Sequence, residues 1–254
     1  MTTALITGGT SGIGKAFGTS FARSGYRLVL AARDRERLDA TAAELKGLGA
    51  PHAETLPADL ATADGRLAVE QRLADGDRPV DILVNNAGFG LPLPFVKTAV
   101  EDEERLLDVH VRATMRLTHA ALPGMIARGR GAVVNVASVS AFVPRGTYSA
   151  VKAWEVSFTE SLAAELRGTG VRAMALCPGF THTEFHERGN LETDSIPGWM
   201  WLDADYVVEK ALRDLRRGIA VSVPGAQYKV LTGASRYVPR SVRTRLSRGV
   251  SKRW

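Results

Sequence analysis

Short apolar runs alternate with longer stretches of helical period along nearly the whole chain. The runs predict strands at Ala4–Thr7, Arg27–Ala31, Ala53–Leu56, Val80–Val84, Ala132–Ala137, Arg172–Cys177 and Ala220–Val223. The periodic stretches predict helices at Gly12–Arg23, Arg35–Leu48, Ala63–Ala74, Glu103–Ala127, Tyr148–Arg167 and Ala204–Arg216. Strands joined by helices of this length imply an α/β fold: a doubly wound, Rossmann-like parallel sheet with helices on both faces. No repeat, low-complexity segment or linker interrupts the pattern, so it predicts one domain over residues 1–225, followed by a basic tail at 226–254. In open sheets of this kind ligands sit beyond the carboxyl ends of the strands.

Composition narrows the class. At 254 residues the chain is long enough for a substantial core, and its 45% hydrophobic and 24% charged residues are ordinary for a soluble globular enzyme. No apolar run approaches bilayer length, and the first strand begins too early to leave room for a secretion signal. Cys177 is the only cysteine, which excludes an intrachain disulfide and a cysteine-based metal site, and no metal is expected. Together these features predict a cytoplasmic protein. The net charge of +6 is unevenly placed: ten basic residues follow Asp214, the last acidic one, and the first 214 residues carry 23 basic and 27 acidic side chains, net −4. The basic balance therefore describes a tail, and nucleic acid is not an expected partner.

Thr7 to Gly14 read TGGTSGIG directly after the first predicted strand, with a helical pattern (Ala16, Phe17, Phe21, Ala22) following. A nucleotide pyrophosphate needs that order of strand, glycine turn and helix. Gly8 takes the tight turn, Gly12 lets backbone amides approach the phosphates, and Gly14 lets helix and strand pack closely behind the helix N-terminus. Glycines also mark ordinary turns; the context makes this one a cofactor-site candidate.

Tyr148 and Lys152 stand four apart at the start of a predicted helix, one turn apart on one face. A free tyrosine titrates near ~10, too high for acid–base work at neutral pH, and a lysine one turn away with a nicotinamide ring above it would lower that value. Ser138 ends a predicted strand, where its hydroxyl could hold a carbonyl beside the Tyr148 oxygen. Taken singly, Tyr-x-x-x-Lys also occurs on ordinary amphipathic helices, and Ser138 also reads as a strand-end turn residue.

Taken together, TGGTSGIG, Asp59-Leu60, Asn85-Asn86-Ala87-Gly88, Asn135-Val136-Ala137-Ser138, Tyr148-Ser-Ala-Val-Lys152 and Pro178-Gly179 with Thr183 resemble the short-chain dehydrogenase/reductase family, in its short single-domain branch. The resemblance covers roughly Thr2 to Val223. It implies that Tyr148 is the general acid in reduction, that Lys152 lowers its pKa and holds the cofactor ribose, and that Ser138 orients the carbonyl. The implied cofactor-binding set is Gly8, Thr10, Ser11, Gly12, Ile13, Gly14, Arg33, Asp59, Leu60, Asn86, Ala87, Gly88, Tyr148, Lys152, Pro178, Gly179, Thr181 and Thr183. Within it, Asp59 would bond the adenine amino group, although it also reads as a cap of the next helix. Asn86, Ala87 and Gly88 would admit the ribose, and Pro178, Gly179 and Thr183 would hold the carboxamide of nicotinamide.

Two departures stand out. Asp108-Val109-His110 puts a histidine where the family usually carries an asparagine that holds a relay water, so His110 either shuttles protons itself or replaces that residue structurally on a buried helix face. The interval from Ser138 to Tyr148 is also a few residues shorter than usual, which trims the loop over the substrate.

The second strand ends Leu30-Ala31-Ala32-Arg33, with Ala32 at the position that is acidic in NAD sites and a guanidinium next to it. Arginine binds phosphate through parallel hydrogen bonds, so NADP is expected over NAD, with Asp34 either pairing Arg33 or starting the next helix. Phe89, Leu91, Leu93, Phe142, Val143, Phe180 and Phe185 are the residues expected around the carbonyl. A lid at 184–203, ending in the aromatic run Ile196–Trp201, favours an apolar ketone, aldehyde or alcohol as substrate. Trp199 and Trp201 also read as packing on their own domain.

Two other functions compete with an oxidoreductase. One is a dinucleotide sensor or scaffold without turnover. The other is a protein acting through its tail, where Val238, Val242, Leu246 and Val250 recur among Arg240, Arg243, Arg245 and Arg248, a pattern fit for peripheral membrane contact or for packing on its own subunit or a partner. The resemblance also implies a homodimer or homotetramer through the helices Glu103–Ala127 and Tyr148–Arg167, with Leu106, Leu117, Trp154 and Phe158 divided between that face and the core.

Overall fold

The computed structural model describes residues 1–185 and 196–237. The elements in chain order are β1 (Thr3–Thr7), α1 (Gly12–Arg23), β2 (Arg27–Ala32), α2 (Arg35–Gly47), β3 (Ala53–Pro57), α3 (Ala63–Ala74), β4 (Ile82–Asn85), α4 (Val100–Leu107), α5 (Thr114–Ala127), β5 (Gly131–Val136), α6 (Gly146–Glu165), β6 (Val171–Leu176), α7 (Ala204–Arg216), β7 (Val221–Ser222) and α8 (Ala226–Tyr237). The seven strands form one parallel sheet in the order β3-β2-β1-β4-β5-β6-β7. Strand order reverses between β1 and β4, which opens a crevice at their carboxyl ends.

Alternation along the strands feeds two cores. Ala4 and Ile6 of β1 join Leu28, Leu30, Val134 and Met174 under Phe17, Phe21, Leu38, Leu45 and Val207, which come from α1, α2 and α7. Leu5 points to the other face, with Val29, Leu83 and Val133, under Val69, Leu117, Met125 and Leu162 of α3, α5 and α6. Both faces are dry because every crossover lays a helix on one of them. The caps are local: Asp34 accepts from the Arg37 amide to start α2, and Thr62 accepts from the Gly65 amide to start α3.

Four elements depart from the periodicity. β4 starts at Ile82, because the Asp81 carboxylate accepts from the Thr3 amide at 3.0 Å and takes the place of a ladder bond. β7 is an edge strand of two residues. The helix expected at Glu103–Ala127 begins at Val100 and is broken by a π-helical turn at Asp108–Ala113. Residues 226–237, expected in the tail, form α8. The remaining tail, including Val238, Arg240 and Val250, and half of the lid, 186–195, lie outside the described residues. Among the described residues no helix is long and apolar enough to cross a membrane, and no cluster of side chains could hold a metal ion.

Candidate active site

The glycine turn forms as its sequence demands. Gly8 and Gly12 sit at φ +63° and +52°, in the left-handed region that glycine alone enters without strain. A Cβ on Gly14 would lie 2.3 Å from the Gly8 carbonyl oxygen, so α1 packs against the turn only because residue 14 has no side chain. Ser11, at the N-cap of α1, makes no side-chain cap bond, so the first-turn amides beside it, through Ile13, remain for an anion. Asn86 staples this turn to β4: its Nδ2 donates to the carbonyls of Thr7 and Gly8 at 3.0 and 3.1 Å, and the amides of Asn86 and Ala87 both donate to Thr7 Oγ1. Thr183 lies against the turn from the far side, its methyl 2.9 Å from where a Cβ of Gly12 would be. This cradle, with helix amides open at its floor, fits a dinucleotide pyrophosphate.

At the adenine end, Arg33 is exposed at the end of β2. Asp34 is spent on capping α2, so it leaves Arg33 to meet a phosphate. Asp59 serves two local partners: one oxygen accepts from the Ala61 amide at 3.0 Å, and the other pairs with Arg105 at 2.8 Å. Thr62, not Asp59, caps α3. Leu60 is buried, and its carbonyl accepts from Arg66. At the nicotinamide end the Pro178 carbonyl accepts from the Val139 amide, and Thr181 is buried with its hydroxyl on the Gly179 carbonyl.

Ser138 caps a 3-10 turn, where its Oγ accepts from the Ser140 amide, and its hydroxyl lies close enough to the Tyr148 phenol to lower its pKa. Lys152 Nζ lies 5.7 Å from the Tyr148 ring centroid. So Ser138, Tyr148 and Lys152 converge beyond the ends of β5 and β6, beside the crevice.

Lys152 with a nicotinamide ring above it was expected to lower the Tyr148 pKa; in the chain by itself burial pushes the phenol up, the Glu155 carboxylate adds to that push, and Ser138 opposes it. Behind the smaller of the two upward pushes is a buried counter-charge to Lys152. Lys152 Nζ donates to the Val136 carbonyl at 2.7 Å and to the two oxygens of Glu155 at 3.2 and 2.9 Å. Both side chains are nearly inaccessible, at 4% and 3% exposure. Removing one partner of such a pair costs about 3–5 kcal/mol, because the other charge stays buried alone.

His110, on the π-helical turn, is buried beside this pair: Nδ1 is 3.3 Å from Glu155 Oε1, and Nε2 is 2.9 and 3.1 Å from the carbonyl oxygen and amide nitrogen of Phe89. Burial first, then the Lys152 charge, pull its pKa below the ordinary histidine value, so the ring is neutral. Its edge meets the Tyr148 ring at 5.8 Å, and a Cβ on Gly88 would strike it at 2.4 Å, which gives that glycine a packing reason as well as a ribose-facing one.

The chain matches the family described as short chain dehydrogenase over residues 2–193. It is a short-chain dehydrogenase/reductase. This oxidoreductase is 37% identical over 187 residues to serine 3-dehydrogenase of Agrobacterium fabrum, with 72% of this chain and 73% of that protein covered. A short-chain dehydrogenase from Sphingobium yanoikuyae in complex with NADPH superposes with a TM-score of 0.85 at 37% identity, over 93% of this chain and 94% of that one. The bulky-bulky ketone specific alcohol dehydrogenase from Comamonas testosteroni superposes at 0.80 with 30% identity, over 94% and 96%.

The apolar ring expected around the carbonyl in this short-chain dehydrogenase/reductase is smaller than the sequence suggests. Phe185 meets the Tyr148 ring at 5.9 Å, and Phe89 meets His110 at 6.0 Å. Phe142 instead lines a separate cleft with Val221, Val223 and Lys229, and Phe180 packs on the core and on Trp201. Leu93 and Val143 are exposed. Trp201 stacks on His182 at 4.7 Å, while Trp199 faces solvent. Leu106 and Leu117 are fully buried in the chain's own fold, so neither belongs to a subunit face; Trp154 and Phe158 stack on each other at 4.8 Å and stay partly exposed.

Two residues escaped the sequence reading. Glu155 is one turn beyond Lys152, and the spacing 148, 152, 155, 159 is a single helix face, so the signal was present but read only as far as Lys152. Tyr228, on α8, donates to the Met200 carbonyl and accepts from the Phe180 amide, tying the end of the lid to the nicotinamide-side loop. Nothing in its local sequence announces that.

Proposed function

We propose that the enzyme is an NADP-preferring reductase of apolar ketones or aldehydes, working through Ser138, Tyr148 and Lys152. The observation that carries the reading is the convergence of Ser138 on the Tyr148 phenol with Lys152 Nζ 5.7 Å from the centre of that ring. When bound, the nicotinamide supplies the hydride that reaches the carbonyl carbon. Ser138 Oγ, freed to donate, holds the carbonyl oxygen. Tyr148, kept protonated by its surroundings, then gives its proton to that oxygen as the alcohol forms. Lys152 Nζ spends its three N–H groups on Val136 and the two oxygens of Glu155, and would reach a ribose hydroxyl by exchanging the longest of these bonds, the one to Glu155 Oε1. Gly8 to Gly14 hold the pyrophosphate, and Asn86, Pro178, Gly179, Thr181 and Thr183 line the path to the nicotinamide.

Arg33 supports NADP, since Asp34 is turned to the α2 cap and Asp59, the carboxylate that interacts with Arg33, is itself paired with Arg105. The NADPH in the Sphingobium enzyme agrees with that reading. The walls of Phe89 and Phe185 near Tyr148 favour an apolar substrate, in keeping with the bulky ketones of the Comamonas enzyme. The test is consumption of NADPH and of NADH by purified protein against lipophilic ketones and aldehydes, with serine and a short polar aldehyde as controls. Turnover of the lipophilic set with NADPH is the expected result; turnover confined to the polar controls overturns the substrate class. An absence of turnover with every carbonyl, alongside tight NADPH binding, would instead favour a dinucleotide sensor.

A further inference from the structure

We propose that Glu155 is a positioning residue for this site: it anchors the Lys152 ammonium, selects the tautomer of His110, and cancels the lysine charge so that Tyr148 serves as proton donor across neutral pH. The inference rests on the Ser138–Tyr148–Lys152 reading above and goes beyond it, because it assigns what governs the proton on Tyr148.

The geometry leaves Glu155 no other task. Its carboxylate is buried on the face of α6 that carries Tyr148 and Lys152, and both oxygens are committed inward, Oε2 to Lys152 and Oε1 to Lys152 and His110. A carboxylate only accepts, so a proton on Nδ1 satisfies Oε1 and leaves Nε2 to accept from the Phe89 amide at 3.1 Å, at the cost of facing the Phe89 carbonyl oxygen at 2.9 Å. The opposite tautomer would set a lone pair against the carboxylate. The chosen one fixes the Phe89 backbone, and with it an aromatic wall of the substrate space, to the same carboxylate that fixes the lysine.

The charge balance follows. A lysine beside a tyrosine favours phenolate, whereas a lysine held 2.9 Å from a buried carboxylate presents little net field. The other titratable groups packed around Tyr148 do not restore it. His110 on the π-helical turn is neutral, the Cys177 thiol after β6 is pushed up to about 12 by burial and stays protonated, and Asp108 and Arg112 of the π-helical turn pair with each other. Alcohol oxidation, which needs Tyr148 as a base, should therefore set in only at alkaline pH, while carbonyl reduction runs through neutrality.

The experiment compares wild type, Glu155→Gln and Glu155→Asp in both directions, with NADPH or NADP, across pH 6 to about 11. Gln keeps an acceptor for Lys152 and removes the charge; Asp keeps the charge and shortens the reach. The expected result is that the alkaline limb of oxidation moves to lower pH by about one unit or more in Glu155→Gln and stays at the wild-type position in Glu155→Asp, even where kcat falls in both. A Glu155→Gln profile superimposable on wild type overturns the proposal, as does an equal displacement in Glu155→Asp. Ultraviolet titration of the phenol in wild-type holoenzyme, referenced to Tyr148→Phe, needs no folded Glu155 variant: phenolate forming below pH ~8 would also overturn it. If Tyr148→Phe keeps wild-type turnover, the underlying Ser-Tyr-Lys reading fails instead, an outcome the Glu155 profiles alone do not produce.

Discussion

Tyr228→Phe isolates a strut that joins the two ends of the substrate loop. The tyrosine is buried on α8, its hydroxyl donates to the Met200 carbonyl at 2.5 Å and accepts from the Phe180 amide at 3.0 Å, and its ring fills the space that a Cβ of Gly179 would enter. Phenylalanine keeps the ring and therefore the packing against Gly179, so no cavity term arises. What is lost is one oxygen serving two backbone groups, each left without that partner. Both bonds are part-buried, so each is worth the net value of a hydrogen bond, about 0.5–1.5 kcal/mol, and the pair about 2 kcal/mol. For a chain of this size each kcal/mol moves Tm by about 2–4 °C, giving a drop of about 4–8 °C. Thermal unfolding followed by circular dichroism reads it, with urea midpoints as an independent check. A second signature should accompany the first: because Phe180 follows Pro178-Gly179 directly, NADPH affinity should fall while the glycine turn stays intact. A Tm within 2 °C of wild type would refute the reasoning and mean that water replaces the hydroxyl at no cost.

Arg33→Asp should turn cofactor preference toward NADH, with the KM for NADPH rising by about 30-fold or more, since a charge-assisted bond is worth about 1.5–3 kcal/mol and repulsion is added. An unchanged NADPH to NADH ratio in steady-state kinetics would place the selectivity elsewhere. Asp214 is buried; burial raises its pKa, but hydrogen bonds from Lys210 and Ser222 outweigh that and hold it below the ordinary carboxylate value. A depressed folded-state pKa contributes stability that is present above ~3.9 and is lost as pH falls through the folded value, so Asp214→Asn should lower the urea midpoint at pH 7 and the gap should close toward pH 3. A gap equally wide at both pH values would contradict that linkage. Light scattering should give a dimer or larger assembly for wild type and a smaller species for Trp154→Asp, because the Trp154–Phe158 stack is the apolar surface of α6 left partly open. A monomeric wild type refutes it.

The sheet was legible because a buried parallel strand has to be apolar on both faces, and β1, β2, β5 and β6 each appear within a residue or two of where their apolar runs lie. The glycine turn was legible for a related reason: Gly8, Gly12 and Gly14 each meet a steric demand that no other residue satisfies. Polar residues inside the fold were harder to read. Asn85, Asn135 and Thr159 form a buried chain of hydrogen bonds across β4, β5 and α6, a relation between distant segments that local pattern does not express. The π-helical turn was invisible because one extra residue in a helix barely disturbs its period, yet it is the element that carries His110 to Glu155. The field at Tyr148 was read only in part for the same cause: Lys152 was visible in the motif, while the carboxylate that answers it lies outside it.

The measurement that bears most directly on the account is hydride transfer from NADPH to the best lipophilic ketone, wild type against Tyr148→Phe, with cofactor binding followed separately by fluorescence. The account predicts that turnover falls by at least ~10²–10⁴-fold while NADPH still binds, because only the proton donor has been removed. Near-normal turnover in Tyr148→Phe would contradict the assignment of the proton-donating group and, with it, the mechanism built on Ser138, Tyr148 and Lys152.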